Sequence, residues 1–138
     1  MLETIQASLS GLVGFGLYFG SSIVALGLFK VLYTFATPHD EWELVKEKKS
    51  VAAGWAMGGA VIGFCIALAG AASNSVSIID FGIWATVALI AQLVAYVLVK
   101  LFFPAISRRI EDDEVAAGIV LASVSIGIGV LNAACMTY

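Results

Sequence analysis

Four long runs of apolar residues, separated by short polar stretches, make up most of the chain. The runs extend from about Leu9 to Leu32, Val51 to Ala72, Phe81 to Phe103 and Val115 to Met136. Each is close to the roughly 20 residues that a helix needs to cross a bilayer core. β-Barrel strands would instead show short segments of alternating polarity. The pattern predicts an all-α, polytopic membrane protein with four transmembrane helices in one domain, residues 1–138.

The two halves of this pattern resemble each other. The second apolar run opens with Val51-Ala52-Ala53-Gly54, and the fourth opens with the same residue types, Val115-Ala116-Ala117-Gly118. Each copy follows a charged connector. We interpret the chain as two tandem helical hairpins, about 9–72 and 79–137, which would be parallel repeats related by an axis along the membrane normal.

The two charged connectors have features of short helices. In the first, Thr37 is placed to act as an N-cap and Pro38 to occupy the first helical position. In the second, Ile106 and Ile110 share one helical face. We therefore expect short interfacial helices that lie along the membrane surface at both connectors.

The distribution of charge predicts an orientation and excludes one class of partner. Of the 138 residues, 61% are hydrophobic and 12% are charged, and the net charge of −3 argues against a nucleic-acid partner. The basic residues all fall at one end of the predicted bundle: Lys30, Lys46, Lys48, Lys49, Lys100, Arg108 and Arg109. By the positive-inside rule, both connectors are cytoplasmic and both termini are periplasmic or extracellular.

Glycine and alanine are concentrated in the apolar runs, above all in the second. Small residues let helix backbones approach closely where lipid gives no hydrophobic driving force. We therefore expect the second membrane helix to be central, and we expect homo-oligomerisation through small-residue faces. The candidate packing positions are Gly16, Gly20, Gly54, Gly58, Gly59, Gly63, Gly118 and Gly127.

The centres of the predicted helices carry neutral polar residues but no ionisable ones. They are Ser22, Gln92, Ser123 and Ser125, to which we add the neutral Asn132 near the outer end of the fourth helix. These groups could line a polar path for an ion or small solute, since pores can use neutral hydrogen-bonding groups. The alternative is that these groups form hydrogen bonds between helices, and this is the interpretation we favour.

The remaining polar chemistry points away from catalysis. Cys65 and Cys135 lie within apolar runs without CxxC spacing, and the chain has one histidine. We therefore expect no metal site, no cofactor and no enzymatic activity. We expect His39 to serve as a helix cap or a surface residue. The connectors offer a candidate surface for a cytoplasmic protein partner, formed by His39, Glu41, Trp42, Arg108 and Arg109.

Three motifs resemble a known family, the YjfL-like small bacterial inner-membrane proteins that carry domain of unknown function 350. They are Thr37-Pro38-His39-x-Glu41-Trp42-x-Leu44, the turn Asn74-Ser75-Val76-Ser77 and the terminal Asn132-Ala133-Ala134-Cys135-Met136-Thr137. The turn departs from the family pattern, because Ser75 replaces an alanine. The resemblance spans essentially the whole chain and implies a four-helix inner-membrane protein with no assigned reaction.

Some members of this family are encoded near membrane-remodelling proteins of the phage-shock type, which implies a link to envelope maintenance. The leading hypothesis is a non-enzymatic, oligomeric membrane component that presents its connectors to a partner. The alternative is a small channel or transporter that uses the neutral polar path.

Overall fold

The computed structural model describes residues 1–136, which form six α-helices and no strand. They are α1 (Leu2–Ala36), α2 (Glu41–Lys46), α3 (Val51–Asn74), α4 (Ile78–Phe102), α5 (Ile106–Glu111) and α6 (Val115–Cys135). Four of them, α1, α3, α4 and α6, are long and apolar enough to cross a membrane. The all-α membrane fold predicted from the sequence is therefore confirmed. Thr137, which ends the terminal motif and the second predicted hairpin, lies outside the described residues.

Two of the long helices begin at serine caps. Ser50 Oγ accepts a hydrogen bond of 3.1 Å from Ala53 N, and α3 starts at the next residue. At α4, Ser77 Oγ accepts from Asp80 N at 3.1 Å, and Asp80 Oδ2 accepts from Val76 N at 2.9 Å. These bonds satisfy backbone N–H groups that have no partner within the first helical turn. Asp80 therefore lies in the first turn of α4.

The predicted start of the first connector helix is wrong. Thr37 does not cap α2; it ends α1, with its N–H bonded to Tyr33 O at 3.0 Å and an extended conformation, φ −97° and ψ 138°. A residue before proline is pushed out of the helical region, so Pro38 terminates α1 and does not open α2. The cap of α2 is Asp40, whose carboxylate accepts from Glu43 N at 3.1 Å.

The shared face of α5 packs against protein and not against the membrane surface. Ile106 and Ile110 are 1% and 0% exposed, and α5 contacts α6 and α3. Leu44 of α2 is likewise buried. We expected this face of α5 to lie along the membrane surface. That expectation is wrong, because its two isoleucines are buried against α3 and α6.

The centre of the bundle is a seam between α3 and α6. Successive contacts pair Ala52 with Gly118, Gly59 with Ala122, Gly63 with Ser125 and Gly70 with Ala133. Residue numbers rise together along both helices, so α3 and α6 run parallel from the end of the bundle that carries the connectors. As expected, α3 is the central helix, and it has more buried residues than any other long helix. Two tandem hairpins require α3 and α6 to run parallel, as they do. The duplication itself stays a prediction.

Glycines that are equivalent in the predicted repeat have opposite surroundings. A Cβ added at Gly118 would overlap the carbonyl oxygen of Ala52, whereas one added at Gly54 meets nothing within 4 Å. Similarly, a Cβ at Gly63 would overlap Ser125 O, whereas Gly127 has open space. One glycine of each pair therefore sets the distance between α3 and α6, and the other does not.

Helix α1 is peripheral. Its buried residues are Phe29 and Tyr33, both in its last third, and the rest of the helix has few contacts with the bundle. Gly16 and Gly20 are exposed, and a Cβ at either position would meet nothing within 4 Å. Within one chain these two candidate packing glycines therefore pack against nothing.

The paired glycines predict unequal effects of a single methyl group. Gly118→Ala and Gly63→Ala should each destabilise the fold by about 1–3 kcal/mol, because the obstructing atoms are backbone and cannot move aside cheaply. Gly54→Ala and Gly127→Ala should be neutral or stabilising by up to about 1 kcal/mol, because alanine favours a helix over glycine. Thermal unfolding of the four variants in one detergent measures the difference, and equal losses in all four would contradict this assignment of the seam.

Candidate functional site

The polar features of the structure concentrate at one end of the bundle, which we call the connector end: the first connector (residues 37–50) and the second (residues 103–114). Asp113 joins the two connectors, since its Oδ1 accepts from Ser50 Oγ at 3.1 Å and from Ala52 N at 3.0 Å. One hairpin thus supplies the charge that caps a helix of the other. A carboxylate at a helix N-terminus also interacts favourably with the helix dipole.

Asp113 is held in this position by its own backbone. Its φ of 59° lies in the left-handed region, and the N–H groups of Asp113 and Glu114 bond to Ile110 O and Arg109 O at 3.0 Å each. This is the Schellman ending of a helix, in which the left-handed residue is usually glycine. The hydrogen bonds from Ala52 N and the Ser50 hydroxyl lower the pKa of the exposed Asp113 carboxyl below its ordinary range.

Sequence reasoning missed Asp113. Lys49, which has φ 53°, precedes Val51 by two residues, as Asp113 precedes Val115. The repeated Val-Ala-Ala-Gly sequence therefore contained a signal. It aligns Lys49 with Asp113, the two left-handed residues that lie between each connector and the membrane helix that follows it.

Buried side chains of the first connector, α1 and α4 form a group that we call the buried polar cluster: Tyr33, Thr37, His39, Glu41 and Tyr96. His39 Nε2 lies 2.7 Å from Glu41 Oε1, so one proton is held between them. The Tyr33 hydroxyl donates to the same oxygen at 3.5 Å, and the Thr37 hydroxyl lies 2.9 Å from Tyr33 O. Burial raises the pKa of the Glu41 carboxyl above its ordinary range, although the hydrogen bond from His39 opposes the shift.

The cluster also joins the two hairpins. The rings of His39 and Tyr96 lie 6.3 Å apart, and the Tyr96 hydroxyl shares a hydrogen bond of 2.5 Å with Ser107 Oγ. Helices α1, α4 and α5 are thereby connected through side chains near the connector end.

The candidate partner surface divides into buried and exposed residues. His39 and Glu41 are only 2% and 4% exposed, so the expectation that they form a surface is wrong. Because Pro38 ends α1 early, the chain turns and directs both side chains into the bundle. Trp42 and Arg108 are exposed, and Arg109 is paired with Glu114 at 2.6 Å in a solvated ion pair that contributes little stability.

The neutral polar residues in the membrane helices do not converge on one path. Gln92 Nε2 donates to Ser125 O at 3.0 Å, which connects α4 to α6 beside Gly63. Ser22 and Ser123 donate to their own helix backbones, 2.7 Å from Tyr18 O and 2.8 Å from Ile119 O, and Ser123 is exposed. Asn132 is half-buried in the last turns of α6. Of the five predicted residues, the structure brings together only Gln92 and Ser125.

Across residues 1–136, no group of three or more His, Cys, Asp or Glu side chains is arranged to hold a metal ion. Cys65 and Cys135 are exposed on the helix surfaces.

The contacts of Asp113 predict a pH-dependent contribution to stability. Asp113→Asn keeps a residue that tolerates the left-handed backbone but removes the charge, and it should lower the unfolding temperature near pH 7. Because folding lowers the pKa of Asp113, its contribution is present above the unfolded pKa of about 3.9 and is lost as the pH falls below it.

The neighbouring Asp112 is the matched control, because its side chain does not reach the N-terminus of α3. Thermal unfolding of wild type, Asp113→Asn and Asp112→Asn between pH 3 and pH 8 measures the effect. An equal loss in both variants would contradict a specific cap, as would a wild-type advantage that persists undiminished at the lowest pH.

Comparison with known proteins agrees with the fold. The model of the family described as Domain of Unknown Function (DUF350) matches residues 7–136. The inner membrane protein YjfL of Escherichia coli K12 is 38% identical over 130 residues, covering 94% of this chain and 98% of that protein. The transmembrane protein YshE of Bacillus subtilis is 25% identical over 125 residues, covering 89% of this chain and 92% of YshE. No solved structure matches the chain. The chain thus belongs to the DUF350 family of multi-pass inner-membrane proteins.

Proposed function

We propose that this protein is a non-enzymatic component of the inner membrane that assembles from copies of itself through α1. In the assembly, the connectors form a cytoplasmic surface for a protein partner concerned with envelope maintenance. The observation that carries the proposal is the poor packing of α1 within a single chain. The genomic context of the family motivates the link to the envelope.

The length and exposure of α1 support this assembly. Its 35 residues extend about 52 Å at 1.5 Å per residue, well beyond a hydrocarbon core of roughly 30 Å. Its five glycines all have open space around the position of a Cβ. A bare glycine surface gains little from lipid contact, whereas a second helix can approach it closely.

Gly16 and Gly20 lie on the side of α1 that faces away from its own bundle. Tyr18 stacks edge-on against Phe81 of α4 at 5.4 Å, which identifies the inward side. Gly16 and Gly20 are each two residues from Tyr18, and two residues correspond to a rotation of about 200° around a helix. A second copy of α1 can therefore contact Gly16 and Gly20 without displacing the bundle.

The same geometry favours this function over the channel. A polar path would need Ser22 and Ser123 to face Gln92, but both hydroxyls bond to their own backbones. The hydrogen bond from Gln92 to Ser125 O connects α4 to α6. Such bonds contribute about 0.6 kcal/mol on average in membrane proteins.

Without the buried His39 and Glu41, the proposed partner surface consists of residues that are exposed or half-exposed. Trp42, Arg108 and Arg109 remain accessible at the connector end, whereas His39 and Glu41 hold α1 and α2 together from inside. The same burial disfavours a catalytic use of His39, since its ring is 2% exposed and its Nε2 is hydrogen-bonded to Glu41.

The α1 contact predicts a change in oligomeric state. Gly20→Leu should weaken self-association by about tenfold or more, because overpacking a close helix contact costs about 1–3 kcal/mol. Gly82→Leu is the control, since Gly82 is also exposed but lies on α4. Native mass spectrometry of both variants over a range of protein concentrations gives the subunit number. A monomeric wild type, or an equal effect of the two substitutions, would overturn the contact.

The proposed orientation is tested separately. Reporter fusions after Lys48 should be active in the cytoplasm, and fusions after the C-terminal residue should be active in the periplasm, because all the basic residues lie at the connector end. The reverse pattern would remove the cytoplasmic partner from the proposal but leave the α1 contact standing.

A further inference from the structure

A groove between α1 and α3 opens beside the buried polar cluster. It encloses about 50 Å³, which exceeds the roughly 10–15 Å³ required by one water-sized group. Leu26, Met57 and Val61 supply apolar walls, and Lys30, Glu41 and Trp42 lie at its polar end. The groove is therefore apolar along the membrane helices and charged where they meet the connector.

Glu41 contributes an acceptor that its own chain does not use. Its Oε1 is occupied by His39 at 2.7 Å and by the Tyr33 hydroxyl at 3.5 Å. Its Oε2 is buried and has no hydrogen-bond partner among the described residues. Leaving a buried carboxylate oxygen without a donor is costly, so the groove favours a ligand that brings one.

The mouth of the groove carries the opposite charge. The Lys30 ammonium lies 4.8 Å from the centre of the Trp42 ring, and the Lys46 ammonium lies 5.9 Å from it. Tryptophan prefers the headgroup region of a bilayer, so this pair of cations is placed at the depth of lipid phosphates.

We propose that the groove between α1 and α3 binds a phospholipid with a primary ammonium headgroup, of the phosphatidylethanolamine type. The ammonium donates a charge-assisted hydrogen bond to Glu41 Oε2, the phosphate lies against Lys30, and an acyl chain follows the apolar wall at Met57 and Val61. This site does not depend on self-association through α1.

The chemistry distinguishes this lipid from other headgroups. A choline headgroup has a positive charge but no N–H, so it cannot donate to Glu41. A glycerol headgroup can donate a hydrogen bond but brings no positive charge to the carboxylate. Only the primary ammonium supplies both, while the phosphate that all three lipids share accounts for the contact with Lys30.

The test measures lipid binding to the delipidated full-length protein by native mass spectrometry. The probes are phosphatidylethanolamine, phosphatidylcholine and phosphatidylglycerol with identical acyl chains. The wild type should bind phosphatidylethanolamine about tenfold or more tightly than phosphatidylcholine, as expected for one charge-assisted hydrogen bond. Equal binding of the two lipids would overturn the proposal and leave the groove to water.

Two variants separate the two contacts. Glu41→Gln should abolish the preference for ethanolamine over choline, whereas Lys30→Gln should weaken all three lipids and preserve that preference. Lys100→Gln is the matched control, because Lys100 is the counterpart of Lys30 in the second hairpin and does not line the groove.

Circular dichroism shows whether Glu41→Gln still folds, and the exposed Lys30 variant provides a test that does not rely on the buried carboxyl. Retention of the ethanolamine preference by a folded Glu41→Gln protein would contradict the site. An effect of Lys100→Gln as large as that of Lys30→Gln would do the same, since it would indicate a general attraction of lipid to basic residues.

Discussion

The close approach of α3 and α6 is the contact on which the other helices depend. Lipid tails are as apolar as the helices, so the two helices gain little from hydrophobic burial alone and must gain from close packing of their backbones. Gly118 and Gly63 allow that distance, because a methyl group at either position would overlap a carbonyl of the facing helix. The tie from Gln92 to Ser125 O then positions α4 against this pair. Helix α1 is buried against the bundle only at Phe29 and Tyr33, near the connector end.

The connector end shows how a local backbone rule determines the chemistry of a region. Pro38 forces the preceding residue out of the helix, and the chain turns before Asp40 can cap α2. The turn directs His39 and Glu41 inward, where they form a buried pair with a free carboxylate oxygen. At the second connector, the left-handed Asp113 reaches back to the start of α3. Each connector thus stabilises the junction between the hairpins, and the first one also forms the polar end of a groove.

The architecture was largely predictable, and the side-chain environments were not. The starts of α3 and α6 at Val51 and Val115 follow directly from the end of a charged segment and the onset of an apolar run. The exposure of His39 and Glu41 was predicted wrongly, because a charged, histidine-containing segment is typical of a solvated face and the composition does not show which way a turn directs each side chain. Likewise, the shared face of Ile106 and Ile110 was assigned to the membrane surface, since an amphipathic pattern does not distinguish lipid from protein as the apolar partner.

The sequence by itself determined that this chain has four helices long and apolar enough to cross a membrane, where those four helices lie and which end carries the basic residues. Those properties depend on local composition and on the length required to span the hydrocarbon core. Only the tertiary structure decided which glycine of each equivalent pair sets a helix contact, and that Asp113 rather than Lys49 bridges the hairpins. Gly54 and Gly118 occupy the same position in the repeated Val-Ala-Ala-Gly sequence. In the structure, Gly118 of α6 lies against a carbonyl of α3, whereas Gly54 faces open space. In this structure α3 and α6 present different faces to each other, so matching residues of the predicted repeat have different neighbours.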